Sequence, residues 1–503
     1  MKTVPALNRF CELATAHDLV PVYRHLLSDT LTPVTAFALL DDGRSSCCLF
    51  ESVVGQERVG RYSFVAFAPS RTVRAFGHRV EVDQAGGETE RFEHPDPLEL
   101  LRQMIGEPRV AELPGLPPFV GGAIGYAGYD VIRYVERLPN TPPDDRGLPD
   151  LEFGFYDTVL IFDNVKKTLF IVHLVDIAAA KQAGGLEKAY AAAEAELDGL
   201  VDRLSQPQTR IRPADAALDA ADSLQLDSNF TQDGFCKAVR QCTQYIAAGD
   251  IFQVVLSQRF ALEAQADPFE VYRSLRVINP SPFMFLLRAG GATLVGASPE
   301  IMCRVQDRVV TVRPLAGTRR RGETEADDAA LAAELLADPK ERAEHVMLVD
   351  LGRNDVGRIA RLGSVTLPEV MTVEYYSHVM HLSSTVQGEL AADKTYMDAF
   401  KAALPAGTVS GAPKIRAMQI IDEIEPTKRG PYAGAVGYFD YRGNTDTCIA
   451  LRTMVFCGGK VYIQAGAGLV ADSVPELEYQ ETVNKSRAMV RAVEVTTRRL
   501  AGG

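Results

Sequence analysis

The order of strand-like and helix-like segments is the feature that most limits the folds open to this chain of 503 residues. Short apolar or alternating segments bounded by Gly and Pro predict strands, and longer segments with apolar residues three and four apart predict helices. The two types occur in runs and not in strict alternation, so we predict an α+β protein with large, mostly antiparallel sheets. The predicted strands are 35–40, 62–68, 158–163, 169–175, 251–260, 283–288, 293–297, 309–314, 433–440, 447–456 and 460–467, and the predicted helices are 186–204, 231–248, 326–336 and 339–351.

A change in composition predicts how the chain is divided. Residues 183–222 are rich in Ala, Glu, Asp and Gln, and they include a Gln- and Pro-containing stretch with few apolar side chains. Such a stretch between two segments that can each build a core is typical of a linker. We therefore predict an N-terminal lobe at 1–204, a linker at 205–224 and a C-terminal lobe at 225–503.

The composition argues against several classes of protein. A hydrophobic content of 46% and a charged content of 24% are those of a globular protein. The net charge of −13 argues against nucleic acid and against anionic membranes as partners. The chain has no run of about 20 apolar residues and no signal-peptide pattern. Its eight cysteines show neither CxxC nor zinc spacing, so we expect reduced thiols and a cytoplasmic metabolic protein.

Two pairs of glutamates have the spacing that places both carboxylates on one face of a helix. Glu341 and Glu344 form the first pair, and Glu478 and Glu481 form the second. Counted by helical turns, Glu344 and Glu481 fall on apolar stripes, where an unpaired carboxylate is costly. Four carboxylates without a Cys or His cluster suit a hard cation with oxygen ligands, and magnesium fits best. We predict that these four residues form a magnesium site.

Each pair also has a purely structural interpretation. Glu481 precedes Lys485 by four residues, which is the spacing of a surface ion pair worth about 0.3–0.5 kcal/mol. Asp338, Pro339 and Glu341 match a helix start, with an N-cap residue, a proline at the first position and an acidic third residue. The spacing alone leaves both interpretations open.

Five motifs in the C-terminal half occur together in the order typical of one enzyme family. They are Ser-Pro-Glu at 298–300 and the segments 343–355, 404–414, 430–438 and 464–473. These motifs resemble the signatures of the chorismate-utilising enzymes. The resemblance implies the two-lobed fold of the anthranilate synthase large subunits, in which large, mostly antiparallel sheets form a β-sandwich flanked by helices.

The resemblance implies how chorismate would be bound. A magnesium ion on Glu344 and Glu481, with Glu341 and Glu478 behind them, would hold the ring carboxylate of the substrate. An arginine fork is suited to the enolpyruvyl carboxylate. The residues that match the family's substrate-binding positions are Gly317, Thr318, Tyr432, Arg452, Gly466 and Gly468.

The resemblance also implies four catalytic residues. Glu300 matches the general acid that protonates the leaving 4-hydroxyl group, a role that requires a raised pKa. His381 matches the histidine associated with the elimination of pyruvate, and Thr408 matches a hydroxyl group that binds the substrate. Gln253 stands where water-adding relatives carry the lysine that deprotonates water.

Gln253 and Ala316 indicate which reaction of the family this chain catalyses. Ammonia has a lone pair and needs no base, so Gln253 favours an ammonia-using enzyme. Ala316 stands where 4-amino-4-deoxychorismate synthases typically carry a nucleophilic lysine. We therefore expect amination of chorismate at C2, loss of the 4-hydroxyl group and elimination of pyruvate to give anthranilate.

A second predicted site binds a feedback inhibitor. Residues 49–52 and 57–64 resemble the part of the family that binds tryptophan, and residues 279–285 resemble the companion segment. A site shared by two lobes is a plausible allosteric device, because its ligand can bias their relative placement. The predicted tryptophan-binding residues are Glu51, Ser52, Asn279, Pro280, Ser281, Pro282, Met284 and Phe285.

The source of ammonia must lie outside this chain. The sequence contains no Gly-x-Cys-x-Gly nucleophile elbow of the class I glutamine amidotransferases. The family therefore implies a separate glutamine amidotransferase small subunit, component II, in a heterotetramer. Three alternatives stay open: an enzyme that stops at 2-amino-2-deoxyisochorismate, one that makes 4-amino-4-deoxychorismate, and a non-catalytic amino-acid sensor with the same fold.

Overall fold

The computed structural model describes residues 2–52, 60–212, 224, 226–263, 266–376 and 379–501. The helices in this part of the chain are α1 (Leu7–Leu13), α2 (Pro33–Leu40), α3 (Pro97–Ile105), α4 (Ile177–Gln182), α5 (Leu186–Leu204), α6 (Gln232–Ala247), α7 (Pro268–Ile278), α8 (Glu325–Ala337), α9 (Pro339–Gly357), α10 (Tyr396–Ala403), α11 (Lys414–Ile424) and α12 (Pro475–Ala501). Short 3-10 helices lie at Tyr129–Tyr134 and Gly407–Val409.

The strands in the N-terminal half are β1 (Leu19–Leu27), β2 (Cys47–Glu51), β3 (Tyr62–Phe67), β4 (Arg71–Phe76), β5 (Arg79–Gln84), β6 (Thr89–Glu93), β7 (Gly122–Ala127), β8 (Leu151–Tyr156), β9 (Thr158–Asp163) and β10 (Thr168–Asp176). Those in the C-terminal half are β11 (Asp227–Ser228), β12 (Gln253–Glu263), β13 (Phe283–Ala289), β14 (Ala292–Ser298), β15 (Ile301–Gln306), β16 (Val309–Val312), β17 (Leu315–Arg320), β18 (Thr366–Tyr375), β19 (Val379–Glu389), β20 (Gly411–Ala412), β21 (Ala435–Asp440), β22 (Thr445–Ile449), β23 (Thr453–Cys457) and β24 (Lys460–Leu469).

These strands form two large antiparallel sheets. The first has the order β1-β10-β9-β3-β2-β13-β14-β23-β24-β12-β11, with β20 beside β12. The second has the order β17-β19-β16-β15-β22-β21-β7-β8-β4-β5-β6, with β18 beside β19. Buried side chains of both sheets, such as Leu287 and Leu294 of the first and Ile124 and Val436 of the second, share one hydrophobic cluster. The predicted α+β sandwich is confirmed.

Helices cover the outer faces of the sandwich. Side chains of α1, α2, α5, α7 and α12 share a cluster with the outer face of the first sheet. Residues of α3, α6, α9, α10 and α11 share another cluster with strands of both sheets. Among the described residues, no helix combines the length and the apolar character needed to cross a membrane.

Both halves of the chain contribute strands to both sheets. Strand β2 pairs with β13 in the first sheet, and β7 pairs with β21 in the second. The two predicted lobes therefore share continuous sheets, and their boundary at 205–224 stays a prediction. Residues 213–223 of that predicted linker lie outside the described residues.

Two of the predicted strands are wrong in part or in full. Residues 35–40 belong to helix α2, which begins after the N-cap Thr32 with Pro33 at its first position. A short apolar segment does not distinguish a strand from a buried helix, and the start signal at 32–33 decides for the helix. The predicted strand 447–456 is two strands, β22 and β23, because the backbone turns between them at Arg452, where φ is +48°.

Candidate active site

The chain passes from one sheet to the other at two neighbouring places, and each carries a predicted site residue. Glu300 lies between β14 of the first sheet and β15 of the second, and Arg452 lies between β22 and β23. The Ala297 amide donates to the Arg452 carbonyl at 3.1 Å, and the Ile449 amide donates to the Glu300 carbonyl at 3.0 Å. Backbone hydrogen bonds therefore hold the two crossings side by side.

Glu300 is a buried acid with two donors on one oxygen. Its Oε1 accepts hydrogen bonds from Thr408 Oγ1 at 3.2 Å and from the Leu315 amide at 3.4 Å. Burial raises the pKa of the Glu300 carboxyl to about 8, against the lowering effect of these hydrogen bonds and of the Arg452 charge. The carboxyl group is therefore protonated at neutral pH and can donate a proton.

His381 is held as a neutral ring. It lies on β19 opposite Thr318 of β17, and its Nδ1 is 2.9 Å from the Gly317 carbonyl oxygen and 3.1 Å from Thr318 Oγ1. A carbonyl oxygen can only accept, so Nδ1 carries the proton and Nε2 keeps its lone pair. Burial lowers the pKa of His381 to about 4, and the nearby charges of Arg452 and Lys485 act in the same direction.

Gly317 makes this arrangement possible. The ladder between β17 and β19 contains a bulge at Gly317, where φ is +65°. A Cβ atom there would lie 3.1 Å from both Glu341 Oε2 and a methyl group of Leu335. Glycine adopts this left-handed conformation without strain and leaves room for Glu341.

Arg452 is a cation without a fixed anionic partner. Within the described ranges it forms no ion pair, and burial lowers the pKa of its guanidinium group. A non-glycine residue with positive φ is uncommon and is often found at functional sites. A desolvated guanidinium group without a carboxylate suits an anionic ligand that arrives from solution.

The two glycines of β24 leave space for other candidate residues. A Cβ atom on Gly466 would lie 2.8 Å from Tyr432 Oη, and one on Gly468 would lie 2.9 Å from Gln253 Nε2. Burial raises the pKa of Tyr432 to about 12, so its hydroxyl group stays protonated. Gln253 is buried, and among the described residues its Oε1 has no hydrogen-bond partner.

The four predicted metal ligands come together from two helices. Helix α9 carries Glu341 and Glu344 and packs on β17 and β19, and α12 carries Glu478 and Glu481 and packs on β24. Burial raises the pKa of Glu344, and the charges of Glu341 and Glu481 raise it further. Burial and the charge of Glu481 likewise raise the pKa of Glu478. The carboxylates are close enough to repel one another, which a bound cation would relieve.

These carboxylates also have structural partners. Asp338 caps α9, Arg319 donates to Glu341 at 3.1 Å, and Lys485 pairs with Glu481 at 2.7 Å. Within the described part of the chain, no three His, Cys, Asp or Glu side chains are already arranged around one metal position. The donor set fits a hard cation, but other oxygen ligands must complete its coordination.

Comparisons with known proteins identify the family of this chain. Residues 45–491 match the model of the chorismate binding enzymes. The chain belongs to this family. Over 97% of its length it is 45% identical to anthranilate synthase component 1 of Acetivibrio thermocellus, covering 98% of that protein. Over 94% it is 49% identical to the protein of the same name from Cereibacter sphaeroides, again covering 94%.

Solved structures lead to the same family. The crystal structure of anthranilate synthase component I from Streptococcus pneumoniae superposes with a TM-score of 0.77 at 38% identity, covering 93% of this chain and 99% of that one. The prediction of a chorismate binding enzyme of the anthranilate synthase type is confirmed.

Three residues near the site of this chorismate binding enzyme were not predicted as site residues from the sequence. Lys485 was considered only as a surface partner of Glu481, but its Nζ also donates to the Gly466 carbonyl at 2.9 Å. Arg429 and Glu425 form a fully buried ion pair beneath Tyr432, with Nη2 and Oε1 2.6 Å apart. The spacing of Arg429 and Glu425, four residues apart, is the only sequence signal for that pair.

A separate cavity contains part of the predicted inhibitor site. It has an empty volume of about 530 Å³, part of which is open to solvent. Its lining residues are Phe50, Glu51, Ser52, Tyr62, Phe64, Pro282, Phe283, Met284, Phe285, Arg304, Val436, Gly437, Tyr438, Asp446 and Cys448. The predicted residues Asn279, Pro280 and Ser281 are not part of this lining.

Glu51 of the cavity lining accepts hydrogen bonds from two residues of helix α7. Tyr272 Oη donates to Glu51 Oε2 at 2.6 Å, and Arg276 Nη2 donates to Glu51 Oε1 at 3.1 Å. Burial raises the pKa of Glu51, and the Arg276 charge opposes that effect. Strands of the second sheet supply Arg304, Asp446 and Tyr438, which were not predicted. Residues 57–59 of the predicted inhibitor segment 57–64 lie outside the described residues.

Proposed function

We propose that this chain converts chorismate and ammonia into anthranilate, pyruvate and water, the first step of tryptophan biosynthesis. The proposal is carried by two groups at adjacent sheet crossings: Arg452, which forms no ion pair among the described residues, and Glu300, whose pKa is raised. A dicarboxylate substrate with a hydroxyl leaving group needs these two groups, an anion clamp and a proton donor.

In the first step the 4-hydroxyl group leaves and ammonia adds at C2. Glu300, protonated at neutral pH, donates its proton to the leaving 4-hydroxyl group, which departs as water. Thr408, which donates to Glu300 Oε1 at 3.2 Å, keeps that carboxyl group oriented. Ammonia attacks C2 with its own lone pair, and the free Oε1 of Gln253 can accept one of its N–H groups. Neither Gln253 nor Ala316 supplies a base or a nucleophile.

The second step removes a proton and pyruvate. The proton on C2 leaves and the C3–O bond breaks, which makes the ring aromatic. The departing enolpyruvate takes up a proton on its methylene carbon and becomes pyruvate. His381 is neutral at pH 7 with a free lone pair on Nε2, so it can accept a proton. Tyr432 and Lys485 lie at the Gly466 backbone of β24, and together with Arg452 they suit the enolpyruvyl carboxylate.

The acidic cluster of α9 and α12 suits magnesium. Glu344 and Glu481 would be the ligands nearest the substrate, with Glu341 and Glu478 acting through water. When bound, the ion would neutralise the ring carboxylate and act as a Lewis acid. Burial and the neighbouring carboxylates raise the pKa values of Glu344 and Glu478, and a bound cation would relieve that repulsion, which supports this assignment.

The ammonia donor and the inhibitor complete the proposal. The relatives carry the name component 1, so a second component exists for them. We assign to this chain a glutamine amidotransferase partner in a cytoplasmic heterotetramer, and tryptophan as the ligand of the cavity at Glu51 and Ser52. Cavity residue Cys448 is next to Ile449, which bonds to Glu300, so a ligand there contacts the strand that supports the acid.

The purified chain, chorismate, magnesium and an ammonium salt test the reaction, with anthranilate fluorescence as the readout. We expect anthranilate with ammonium, none with glutamine alone, and inhibition by tryptophan. Arg452→Lys, which keeps the charge but loses the fork, should raise KM for chorismate about tenfold or more. Arg304→Lys, at the inhibitor cavity, should leave KM unchanged. Consumption of chorismate without anthranilate would refute the proposed product.

A further inference from the structure

The guanidinium group of Arg429 is a buried cation with four hydrogen bonds, and it lies outside the candidate catalytic residues. Its side chain and that of Glu425 are only 1% and 2% exposed. Arg429 Nε donates to Glu425 Oε2 at 2.9 Å, and Nη2 donates to Glu425 Oε1 at 2.6 Å. Two further bonds reach backbone carbonyls, from Nη1 to Val409 at 2.7 Å and from Nη2 to Val255 at 2.7 Å.

The pair contacts three segments that carry candidate site residues. Val409 follows Thr408, the donor to Glu300, and Val255 lies two residues after Gln253. The Arg429 guanidinium group lies 5.6 Å from the ring centroid of Tyr432. The guanidinium group of Arg429 therefore contacts four separate segments of the chain, at Val255, Val409, Glu425 and Tyr432.

Glu425 extends the network to the strand of the two glycines. Its Oε1 accepts hydrogen bonds from the Ser257 amide and from Ser257 Oγ, both at 2.8 Å. Gln464 Nε2 donates to Ser257 Oγ at 2.8 Å. Ser257 is the ladder partner of Gly466, against which the Tyr432 hydroxyl group packs.

We propose that Arg429, held by Glu425, is a positioning residue that fixes the Thr408 turn, Tyr432 and the Gln253 strand relative to one another. The inference rests on the proposed function of the site. A buried ion pair is a weak source of stability, because desolvation offsets the attraction between its charges. A planar fork with donors in fixed directions determines geometry in a way that an apolar side chain or a lysine ammonium group does not.

The test compares this pair with a second, largely buried ion pair near the C-terminal end of α11, the helix that Glu425 caps. Asp422 of α11 accepts from Arg133 at 2.8 and 2.9 Å, and Arg133 also donates to Asp130. None of these three is a candidate site residue. We compare Arg429→Lys and the double variant Arg429→Gln/Glu425→Gln with the control Arg133→Gln/Asp422→Asn, all assayed with chorismate, magnesium and ammonium well below their unfolding temperatures.

We expect both Arg429 variants to lose about tenfold to hundredfold in kcat/KM for chorismate, the range produced when reacting groups are misplaced. The control should lose thermal stability but keep its kinetic constants within about twofold, because in the described structure the hydrogen bonds of Arg133 and Asp422 reach no segment that carries a candidate site residue. The Thr408 hydrogen bond favours the ionised form of Glu300, so its displacement should also move the alkaline limb of the pH profile upward. A merely structural role would leave that limb in place.

Two results would overturn the inference, and they are distinguishable. If the parent chain is active and the folded Arg429 variants match the control in kcat/KM and pH profile, the pair is only structural. If the parent chain itself forms no anthranilate from chorismate and ammonium, the proposed function fails and the positioning role fails with it. Loss in the Arg429 variants alone supports the inference.

Discussion

Replacing Glu300 with glutamine tests the raised pKa on which the proposed chemistry depends. Burial raises that pKa from 4.5 to about 8. Because the folded state binds this proton more tightly than the unfolded chain does, the free energy of unfolding of the parent falls as pH rises through this window. Glutamine has no such proton. The stability of Glu300→Gln relative to the parent should therefore increase between pH 5.5 and pH 8, by up to about 3 kcal/mol at about 1.36 kcal/mol per unit.

Thermal unfolding at the two pH values measures this change. With about 2.1 cal/mol/K per residue, the 503 residues give an unfolding entropy near 1 kcal/mol/K. The difference in Tm between Glu300→Gln and the parent should thus grow by about 3 °C from pH 5.5 to pH 8. Glu107, whose side chain is 78% exposed, provides the matched control Glu107→Gln, for which the difference should not change.

Activity gives an independent readout of the same residue. Loss of the proton donor should lower kcat by about 100-fold or more, the usual contribution of a general acid. In the parent, activity at constant free ammonia should fall as pH rises through about 8, where Glu300 loses its proton. A Tm difference that stays constant between the two pH values would refute the raised pKa, and an active Glu300→Gln enzyme would refute the role of acid.

Three further predictions follow from the site and the core. Gly317→Ala forces a side chain into a positive φ next to Glu341, so it should destabilise the fold by about 1–3 kcal/mol, measured by chemical denaturation; an unchanged midpoint would contradict this. Glu344→Gln should raise the magnesium concentration needed for half-maximal activity about tenfold or more, and an unchanged titration would exclude it as a ligand. In the folded protein, a maleimide should label at most Cys11 and Cys457, because the other six thiols are buried, and mass spectrometry would reveal any further label.

Signals at the ends of a segment gave the correct bounds of one helix and the correct start of another. The predicted helix 186–204 has the same bounds as α5, and Pro339 begins α9 after the Asp338 cap. At 35–40 a start signal at Thr32 and Pro33 was present but was outweighed by apolar content. Many strands, among them β17 and β19 with the Thr318–His381 pair, were not predicted, because their register depends on partners far away in the chain.

Motifs identified most of the candidate residues but not their contacts. Gly466 and Gly468 were predicted as substrate-binding residues, and the structure adds that their missing side chains leave room for Tyr432 and Gln253. Lys485 and Arg429 carry no motif that distinguishes them from surface cations. Their partners, a carbonyl on β24 and carbonyls at 255 and 409, are defined only once the strands are paired.

The candidate active site and the inhibitor cavity both depend on how the two sheets are placed, which no short segment of the sequence determines. Glu300 and Arg452 lie where the chain crosses between the sheets, and the cavity is lined by β2, β3 and β13 of one sheet and by β15, β21 and β22 of the other. A crossing requires irregular backbone, as the positive φ of Arg452 illustrates, and it removes polar groups from the regular ladders. Functional side chains can therefore face the space between two rigid sheets. The same strand, β22, ends beside Glu300 and lines the cavity through Cys448, so the acid and the cavity are supported by common backbone.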